Sequence, residues 1–252
     1  MRRVRFQGVN GPAWGEIDGN RLELLSGMQG ERTGKALSLS EVTLLAPCEP
    51  RVIICVGKNY ANHIAEMGGD RANLPSEPGL FLKGLNTLAR PGDPIVYPTW
   101  TSNLHYEGEL AVVIGKRLSR VDEAEALGHV LGYTSALDVT ARDKQKADLQ
   151  WTRGKSADGF CPVGPWLETE LDAGNLSVQT RVNGELKQDG RTSDLIFSVP
   201  AVLSYISRFM TLGPGDLVLT GTPEGVGPLV PGDTVSVTVE GVGTLTNHVS
   251  AA

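Results

Sequence analysis

The chain has 252 residues, of which 40% are hydrophobic and 21% charged, and its formal net charge is −6 at pH 7. These values indicate a globular protein with one large domain, or one domain with a small appendage. The acidic balance argues against a nucleic-acid partner or an anionic membrane as partner. No apolar run reaches the roughly 20 residues of a membrane span, and the basic start lacks the apolar core of a signal peptide. We therefore expect a cytoplasmic protein.

The first residues predict a small β appendage. The short runs "RVRF", "NGPAWGEI" and "RLELL" are separated by turn residues, including the hairpin pair Asp18-Gly19. Residues 26–50 are polar and end in "APCEP", which predicts a connector. The predicted organisation is thus an N-terminal β extension over residues 1–48 and a main domain over residues 49–252.

The main domain is predicted to be β-rich, in the α+β class, with long loops. Glycine and proline are frequent, at 31 and 15 residues, and Asn183-Gly184 marks a hairpin. Apolar or alternating runs predict strands at 52–56, 80–83, 109–114, 130–137, 177–182, 216–219, 234–239 and 243–249. Helices are predicted at 60–67, 122–128, 141–147 and 199–209.

Several familiar motifs are absent or incomplete. The run "GKS" at 154–156 would need glycine at position 149 to form a phosphate loop, and that residue is Leu149. There is no G-x-S-x-G elbow, and no G-x-G-x-x-G follows a strand. The spacing of Cys48, Cys55 and Cys161 fits no zinc or redox motif, so we expect core or loop thiols.

An acidic pair precedes an apolar run in "LHYEGELAVVIG". In a strand, Glu107 and Glu109 would project from one face, and buried carboxylates are costly unless they are paired or bind a cation. Solvated acids or an arginine partner are the simpler alternatives. His105, on the same face, would permit a transition-metal site of one histidine and two glutamates. Asp138, at the end of "GYTSALDV", adds a third carboxylate, and three carboxylates favour a hard cation, Mg²⁺ or Mn²⁺.

A second pair lies in the predicted helix at 60–67. His63 and Glu66 are spaced i and i+3, so their side chains share a face, and the carboxylate can orient the imidazole. An ordinary surface pair has the same spacing. The surrounding segment "NHIAEMGGDRANLPSEP" is rich in glycine and polar residues, which favours a lid that orders over bound substrate.

Five segments occur in an order that resembles the fumarylacetoacetate hydrolase family: "VGKNYANHIAEMG", "FLKG", "YEGELAVVIG", "GYTSALDVTARDKQ" and "VLTGTPEGVG". The resemblance covers about residues 50–249. It implies a mixed β-roll, a homodimer and a divalent-cation site on Glu107, Glu109 and Asp138. The short β segment before it resembles the N-terminal extension of some family members.

The resemblance also implies roles for individual residues. His63 and Glu66 match a dyad that activates water, and Lys155 matches a cation near the developing oxyanion of the substrate. Further matching positions, implied to bind substrate, are Lys83, Arg142, Gln145 and Thr222. Without the resemblance, a surface lysine, a helix cap and a turn residue would account for most of them. The family often has Lys-Pro where this chain has Lys83-Gly84, which leaves the role of Lys83 open.

The implied substrate is a small 2-oxo or 2,4-dioxo acid that chelates the metal and forms a stabilised enolate. With an activated water the outcome is C–C hydrolysis of an acylpyruvate. Without it, the outcome is decarboxylation or isomerisation, including an oxaloacetate decarboxylase or tautomerase. The segment "KADLQWTRGKSADGFCPVGPW" resembles members in aromatic catabolism that handle 2-hydroxyhepta-2,4-diene-1,7-dioate or its decarboxylation precursor. A non-catalytic metal- or ligand-binding protein on this fold is the alternative, against which the acid–base pair argues.

Overall fold

The computed structural model describes residues 1–252 and contains twenty strands and five α-helices. The strands are β1 Arg2–Gly8, β2 Gly11–Asp18, β3 Arg21–Leu25, β4 Arg32–Ser38, β5 Thr43–Leu45, β6 Ile53–Gly57, β7 Gly79–Lys83, β8 Leu88–Ala89, β9 Pro94–Tyr97, β10 Leu104–Tyr106, β11 Gly108–Ile114, β12 Val130–Leu137, β13 Thr140–Ala141, β14 Cys161–Glu168, β15 Ser177–Val182, β16 Glu185–Arg191, β17 Leu217–Leu219, β18 Gly227–Leu229, β19 Thr234–Val239 and β20 Gly243–Ala251. The helices are α1 Ala61–Glu66, α2 Glu123–Ala126, α3 Arg142–Ala147, α4 Thr152–Lys155 and α5 Val199–Ser207. None of these helices is long and apolar enough to cross a membrane.

The strands form three sheets. A 12-stranded sheet has the order β4-β3-β2-β1-β14-β12-β11-β17-β6-β7, with β5 beside β1 and β8 beside β14. A five-stranded sheet has the order β16-β15-β19-β20-β9, and β13-β10-β18 form a small third sheet. Most pairs are antiparallel, whereas β6 and β17 are parallel, so the large sheet is mixed. The predicted β-rich α+β class is confirmed.

Strand β11 lies inside the large sheet and is buried on both faces. Leu110, Val112 and Ile114 belong to a core cluster of 31 buried residues that includes side chains of the five-stranded sheet. Ala111 and Val113 point the other way, into a cluster of 12 buried residues. This alternation is the period of a strand, and it explains why the run is apolar throughout. The second cluster contains all three cysteines, which are free and buried, as predicted.

The N-terminal strands continue the large sheet, because β1 pairs with β14 through Arg2 with Glu168 and Arg3 with Leu167. A small cluster of Val4, Phe6 and Leu22 supports them. The predicted connector over residues 26–50 is wrong in part, since β4 and β5 form there. Strand β4 has a polar sequence, and its pairing with β3 decides its conformation. The domain boundary near residue 48 stays a prediction.

The eight strands predicted for the main domain all form, with ends displaced by two residues at most. The four predicted helices are also present, although α2 is short and continues as a 3₁₀ turn over Leu127–His129. Seven strands and one helix of the main domain were missed, namely β8, β9, β10, β13, β14, β16, β18 and α4. Strand β14 has the sequence "CPVGPWLE", whose prolines and glycine obscure a strand, and β16 reads "ELKQDGR", which is polar. The missed helix, α4, is a single turn.

Candidate active site and metal centre

Three carboxylates converge where β11 begins and β12 ends. The two strands are antiparallel, with Glu109 opposite Ala136, so the start of one meets the end of the other. The Asp138 backbone N–H donates to the Glu107 carbonyl at 2.8 Å and fixes the two loops together. One oxygen each from Glu107, Glu109 and Asp138 lies within 4.8 Å of the other two. The structure therefore brings together the three predicted metal ligands, and each residue is at most 5% exposed.

Three buried cations compensate two of these carboxylates. Lys155 Nζ lies 2.9 Å from Glu107 Oε2 and 2.5 Å from Asp138 Oδ2, and Lys83 Nζ lies 2.6 Å from Asp138 Oδ1. Arg142 donates to Glu107 Oε1. Burial raises the pKa of Glu107, but Lys155 and Arg142 outweigh burial and hold the pKa of this carboxyl well below its usual range. Burial lowers the pKa of Lys155, and its two carboxylate partners raise it further than burial lowers it.

Glu109 is the carboxylate without a cation. Its Oε2 accepts one hydrogen bond, from the Gly221 N–H at 2.7 Å, and no lysine, arginine or histidine forms an ion pair with it. Burial, with Asp138 and Glu107 adding repulsion, raises the pKa of Glu109 well above its ordinary value. A divalent cation among the three carboxylates would remove this imbalance. The oxygen-only ligand set suits a hard cation such as Mg²⁺ or Mn²⁺, so the residues present fit a metal centre.

The alternative site with His105 does not form. His105 lies in β10 of the small sheet, and its Nε2 is 2.8 Å from Asn103 Oδ1. Residue 107 lies between β10 and β11, where the chain passes from the small sheet to the large one, so one strand does not carry all three residues. Burial, reinforced by Arg142, lowers the pKa of His105 to about 4. This imidazole is absent from the group of converging ligands.

The triad forms the floor of a cleft of about 240 Å³. Most of the predicted catalytic and substrate-binding residues line this cleft, namely His63, Arg142, Gln145, Lys155 and Thr222. His63 Nδ1 lies 3.1 Å from Glu66 Oε2, so the predicted dyad is in contact. The second Glu66 oxygen accepts from the Gly225 N–H at 3.0 Å, which fixes the carboxylate that orients the imidazole.

Lys83 is the predicted substrate-binding residue that does not line the cleft. It is 3% exposed and lies behind Asp138, where Nζ also donates to the Val139 carbonyl at 3.3 Å. The structure thus places Lys83 as a counter-charge to a carboxylate. Gly84, where the family often has proline, donates its backbone N–H to Ser156 Oγ at 3.1 Å. Proline has no N–H and could not make this bond.

Gln188 is a site residue that the sequence did not reveal. It lies in β16 of the five-stranded sheet and is fully buried. Its Oε1 accepts from the Gly108 N–H at 2.9 Å, and its Nε2 donates to Thr222 Oγ1 and to the Pro223 carbonyl, both at 2.8 Å. Thr222 donates in turn to the Gly108 carbonyl at 2.8 Å. The Gln188 amide therefore fixes both Gly108, which lies between the two glutamates, and the loop that contains Thr222 and Pro223. A polar strand gives no sequence signal for such a contact.

Two aromatic side chains and two lysines were also missed as lining residues. Phe81 and Trp151 pack edge to face with ring centroids 5.3 Å apart, and Lys155 Nζ lies 4.9 Å from the Phe81 centroid. Lys58 and Lys146 complete the cationic part of the lining. These residues lie in or beside β6, β7, α3 and α4, which meet only in the folded chain.

Two family models match this chain. Residues 52–250 match the family described as fumarylacetoacetate (FAA) hydrolase C-terminal, and residues 1–47 match the family described as Rv2993c-like, N-terminal. The first match covers most of the chain. The chain therefore belongs to the fumarylacetoacetate hydrolase family, as its motifs predicted.

Similar proteins carry the names of enzymes that act on oxo acids. The chain is 48% identical over 196 residues to the mitochondrial oxaloacetate tautomerase FAHD1 of Bos taurus, across 75% of this chain and 87% of that protein. The structure of 2-hydroxyhepta-2,4-diene-1,7-dioate isomerase from Mycobacterium marinum is 44% identical, with a TM-score of 0.92 over 100% of this chain and 98% of that one.

A third match is the structure of fumarylpyruvate hydrolase from Pseudomonas aeruginosa in complex with Mn²⁺ and pyruvate. It is 35% identical, with a TM-score of 0.76 over 83% of this chain and 92% of that one. Tautomerase, isomerase and hydrolase thus all occur among the similar proteins, and the chain is an enzyme of this family.

Proposed function

We propose that the protein is a divalent-metal-dependent enzyme that interconverts the enol and keto forms of a small 2-oxo acid such as oxaloacetate. The observation that carries the proposal is that one cleft is lined both by the carboxylate triad and by His63, which contacts Glu66. A cleft of about 240 Å³ admits a small organic acid and is smaller than sites for drug-sized ligands. The 48% identity to an oxaloacetate tautomerase supports this choice of reaction.

Glu107, Glu109 and Asp138 would hold the cation, Mg²⁺ or Mn²⁺. When bound, this cation supplies Lewis acidity that favours the enolate form of a 2-oxo acid. Lys155 reaches the cleft while bonded to Glu107 and Asp138, and its positive charge stabilises negative charge that develops on the substrate oxygen.

The dyad moves the proton. In tautomerisation one proton leaves the enol oxygen and one is added at the neighbouring carbon, or the reverse. His63 has one ring nitrogen next to Glu66, so its other nitrogen is free to take or give this proton. Arg142, Gln145 and Thr222 line the cleft beside the triad, where they bind and orient the substrate carboxylate.

A second candidate is hydrolytic C–C cleavage of an acylpyruvate. The same dyad would then activate water, and the 35% identity to a fumarylpyruvate hydrolase favours this reaction. Decarboxylation would break the bond to a carboxylate of a 2-oxo acid, release CO₂ and leave an enolate, whereas isomerisation of 2-hydroxyhepta-2,4-diene-1,7-dioate in aromatic catabolism would only move a proton between oxygen and carbon. These reactions differ in which bond breaks to give the enolate, so a substrate panel separates them.

The test is a panel of oxaloacetate, acylpyruvates, fumarylpyruvate and the C7 dienedioate with Mg²⁺ and with Mn²⁺. We expect enol–keto conversion of oxaloacetate, followed by ultraviolet absorbance, to exceed the spontaneous rate and to stop when a chelator is added. Turnover of acylpyruvates alone would favour the second candidate. Acceleration that survives complete removal of metal would overturn the proposal.

We also propose a homodimer. The family resemblance supports this state, and so does an edge of the large sheet: β7 is its last strand, and Leu82 in β7 and the nearby Leu85 are each 52% exposed. Static light scattering should give twice the 26.8 kDa chain mass. A monomer at micromolar concentration would contradict this proposal.

A further inference from the structure

The cleft contains two lysines that no carboxylate of the protein neutralises. Lys58 follows β6 on one wall, and Lys146 lies in α3 on another. The ion pairs at the triad use Lys83, Arg142 and Lys155. None of the ion pairs of the chain involves Lys58 or Lys146.

Helix α3 presents its charges in two different ways. Arg142 and Lys146 are spaced i and i+4, so they share a helix face, and both line the cleft. Lys144 lies between them in sequence, does not line the cleft, and binds Asp143 at 2.9 Å. Like charges on one face repel each other. Lys146, which lines the cleft, therefore has no carboxylate partner, whereas Lys144, which does not line the cleft, is neutralised by Asp143.

The backbone at Lys58 is unusual. Its φ is 59°, in the left-handed region that residues other than glycine seldom adopt. Arg120 and Asn183 have similar φ values of 55° and 51° and do not line the cleft; Asn183 lies in a hairpin turn, where asparagine is favoured. Lys58 has no such reason in its side chain. Strained backbone of this kind is found at ligand-binding positions, where the surrounding structure holds it.

Charge decides which acid fits the cleft. Four cationic side chains and three carboxylates line it, so its walls carry an excess of positive charge before a metal binds. A divalent cation would enlarge this excess. A 2-oxo acid with one carboxylate supplies one negative charge, and one with two carboxylates supplies two.

We infer that Lys58 and Lys146 bind the distal carboxylate of a dicarboxylic 2-oxo acid and select it over acids that have one carboxylate. The inference rests on the proposed function for one point, that the 2-oxo end of the acid lies at the triad. The two lysines that would give this selectivity are neither proposed metal ligands nor members of the His63–Glu66 dyad.

The test is calorimetric binding of a matched pair of acids, 2-oxoglutarate and 2-oxopentanoate, to the Mn²⁺-loaded protein. These acids differ in that a distal carboxylate replaces a methyl group. We expect the wild type to bind 2-oxoglutarate about tenfold more tightly, the effect of two partly exposed ion pairs. The preference should shrink as ionic strength rises, because salt screens exposed charges.

Two variants and one control locate the effect. Lys58→Asn retains a residue that tolerates positive φ, and Lys146→Gln retains a helix former. Each should reduce the preference for 2-oxoglutarate about threefold, and the double variant should abolish it, while affinity for 2-oxopentanoate stays the same. Lys144→Gln on the same helix should leave the preference unchanged.

Three outcomes would overturn the inference: no preference in the wild type, a preference that survives the double variant, or an equal loss of affinity for both acids. The proposed function is judged separately, because binding does not require turnover. If the protein prefers 2-oxoglutarate but does not accelerate enol–keto conversion, the inference holds and the proposed reaction is wrong. If neither acid binds, the inference fails, and turnover of oxaloacetate still decides the proposed function.

Discussion

The two walls of the cleft are held in different ways. The carboxylate wall is built from β11, β12 and the loop after β17, and its charged residues are almost completely buried. The opposite wall is α1, a helix of six residues whose N-terminus has no side-chain cap. Residues 65–74, which end and follow this helix, are all exposed. A helix this short is marginal without tertiary contacts.

Few side-chain bonds attach α1 to the rest of the site. Glu66 accepts from the Gly225 N–H at 3.0 Å, and Asn62 donates to Glu224 Oε1 at 2.9 Å. The carboxylate wall, by contrast, is fixed by the 12-stranded sheet and by Gln188 from the five-stranded sheet. Segments with few buried contacts open at low free-energy cost. We expect the proposed cation binding and proton transfer to depend on separate parts of the fold, so that each can be lost without the other.

The largest expected effect is on the carboxylate wall. Glu109→Gln should abolish turnover and weaken Mn²⁺ binding sharply, because this carboxylate has no cation of its own and would gain most from the metal. Calorimetric titration with Mn²⁺ measures the loss. The metal-free variant should melt no lower than the wild type, since the change removes an uncompensated buried charge.

Glu16→Gln is the matched control for this experiment. Glu16 is also buried, at 6% exposure, but it pairs with Arg32 in the N-terminal strands. Its loss should lower stability and leave Mn²⁺ affinity unchanged. Wild-type metal affinity in the Glu109 variant would show that the triad is not the cation site.

A change in the wall formed by α1 should lower turnover without weakening metal binding. His63→Ala should lower kcat for enol–keto conversion, or for acylpyruvate cleavage, by about 10²-fold or more, the usual scale for loss of a general acid or base. Mn²⁺ affinity should change little, because His63 lies outside the triad. Decarboxylation of a 2-oxo acid should be less affected if it occurs. The measurement is kcat for each reaction at saturating metal.

Asn62→Ala is the control on the same helix. It removes the contact with Glu224 but retains the imidazole, so a change of a few-fold at most is expected from one exposed hydrogen bond. If His63→Ala turns over substrate at the wild-type rate, the dyad has no part in the chemistry and α1 serves only to close the cleft.

The sequence identified the residues of the site better than the residues that hold them in place. Carboxylates at the ends of apolar runs drew attention to Glu107, Glu109 and Asp138, and helical spacing to His63 and Glu66. The family resemblance then favoured these roles over solvated acids and a surface pair. Lys83 was assigned to substrate, yet it lies behind Asp138. Its direction depends on how β7 pairs with β6, which spacing along the chain does not reveal.

The supporting residues come from other sheets, and local patterns do not encode such contacts. Strand β16 is 77 to 83 residues beyond Gly108 in sequence, yet its Gln188 bonds to that glycine. Any side chain at position 108 would collide with Thr180 Oγ1, 2.0 Å from an added Cβ. Glycine is thus required at position 108 because the five-stranded sheet packs against it, and this contact can be seen only in the structure.

The smallest effect we predict concerns this support. Gln188→Met keeps the size of the side chain but removes its three hydrogen bonds to Gly108, Thr222 and Pro223. Leaving buried polar groups without partners should lower the free energy of unfolding by about 3 kcal/mol. Because Gly108 lies between two metal ligands, Mn²⁺ affinity should also fall about tenfold, as for other residues that orient ligands.

Asn247→Leu separates these two effects. Asn247 is equally buried in the same five-stranded sheet, and its amide also bonds to backbone carbonyls, those of Arg90 and Asp93. This variant should lose comparable stability, measured by urea unfolding, while its Mn²⁺ affinity stays at the wild-type value. Equal losses of metal affinity in both variants would mean that a weakened fold accounts for the effect, and Gln188 would then have no specific part in positioning Glu107 and Glu109.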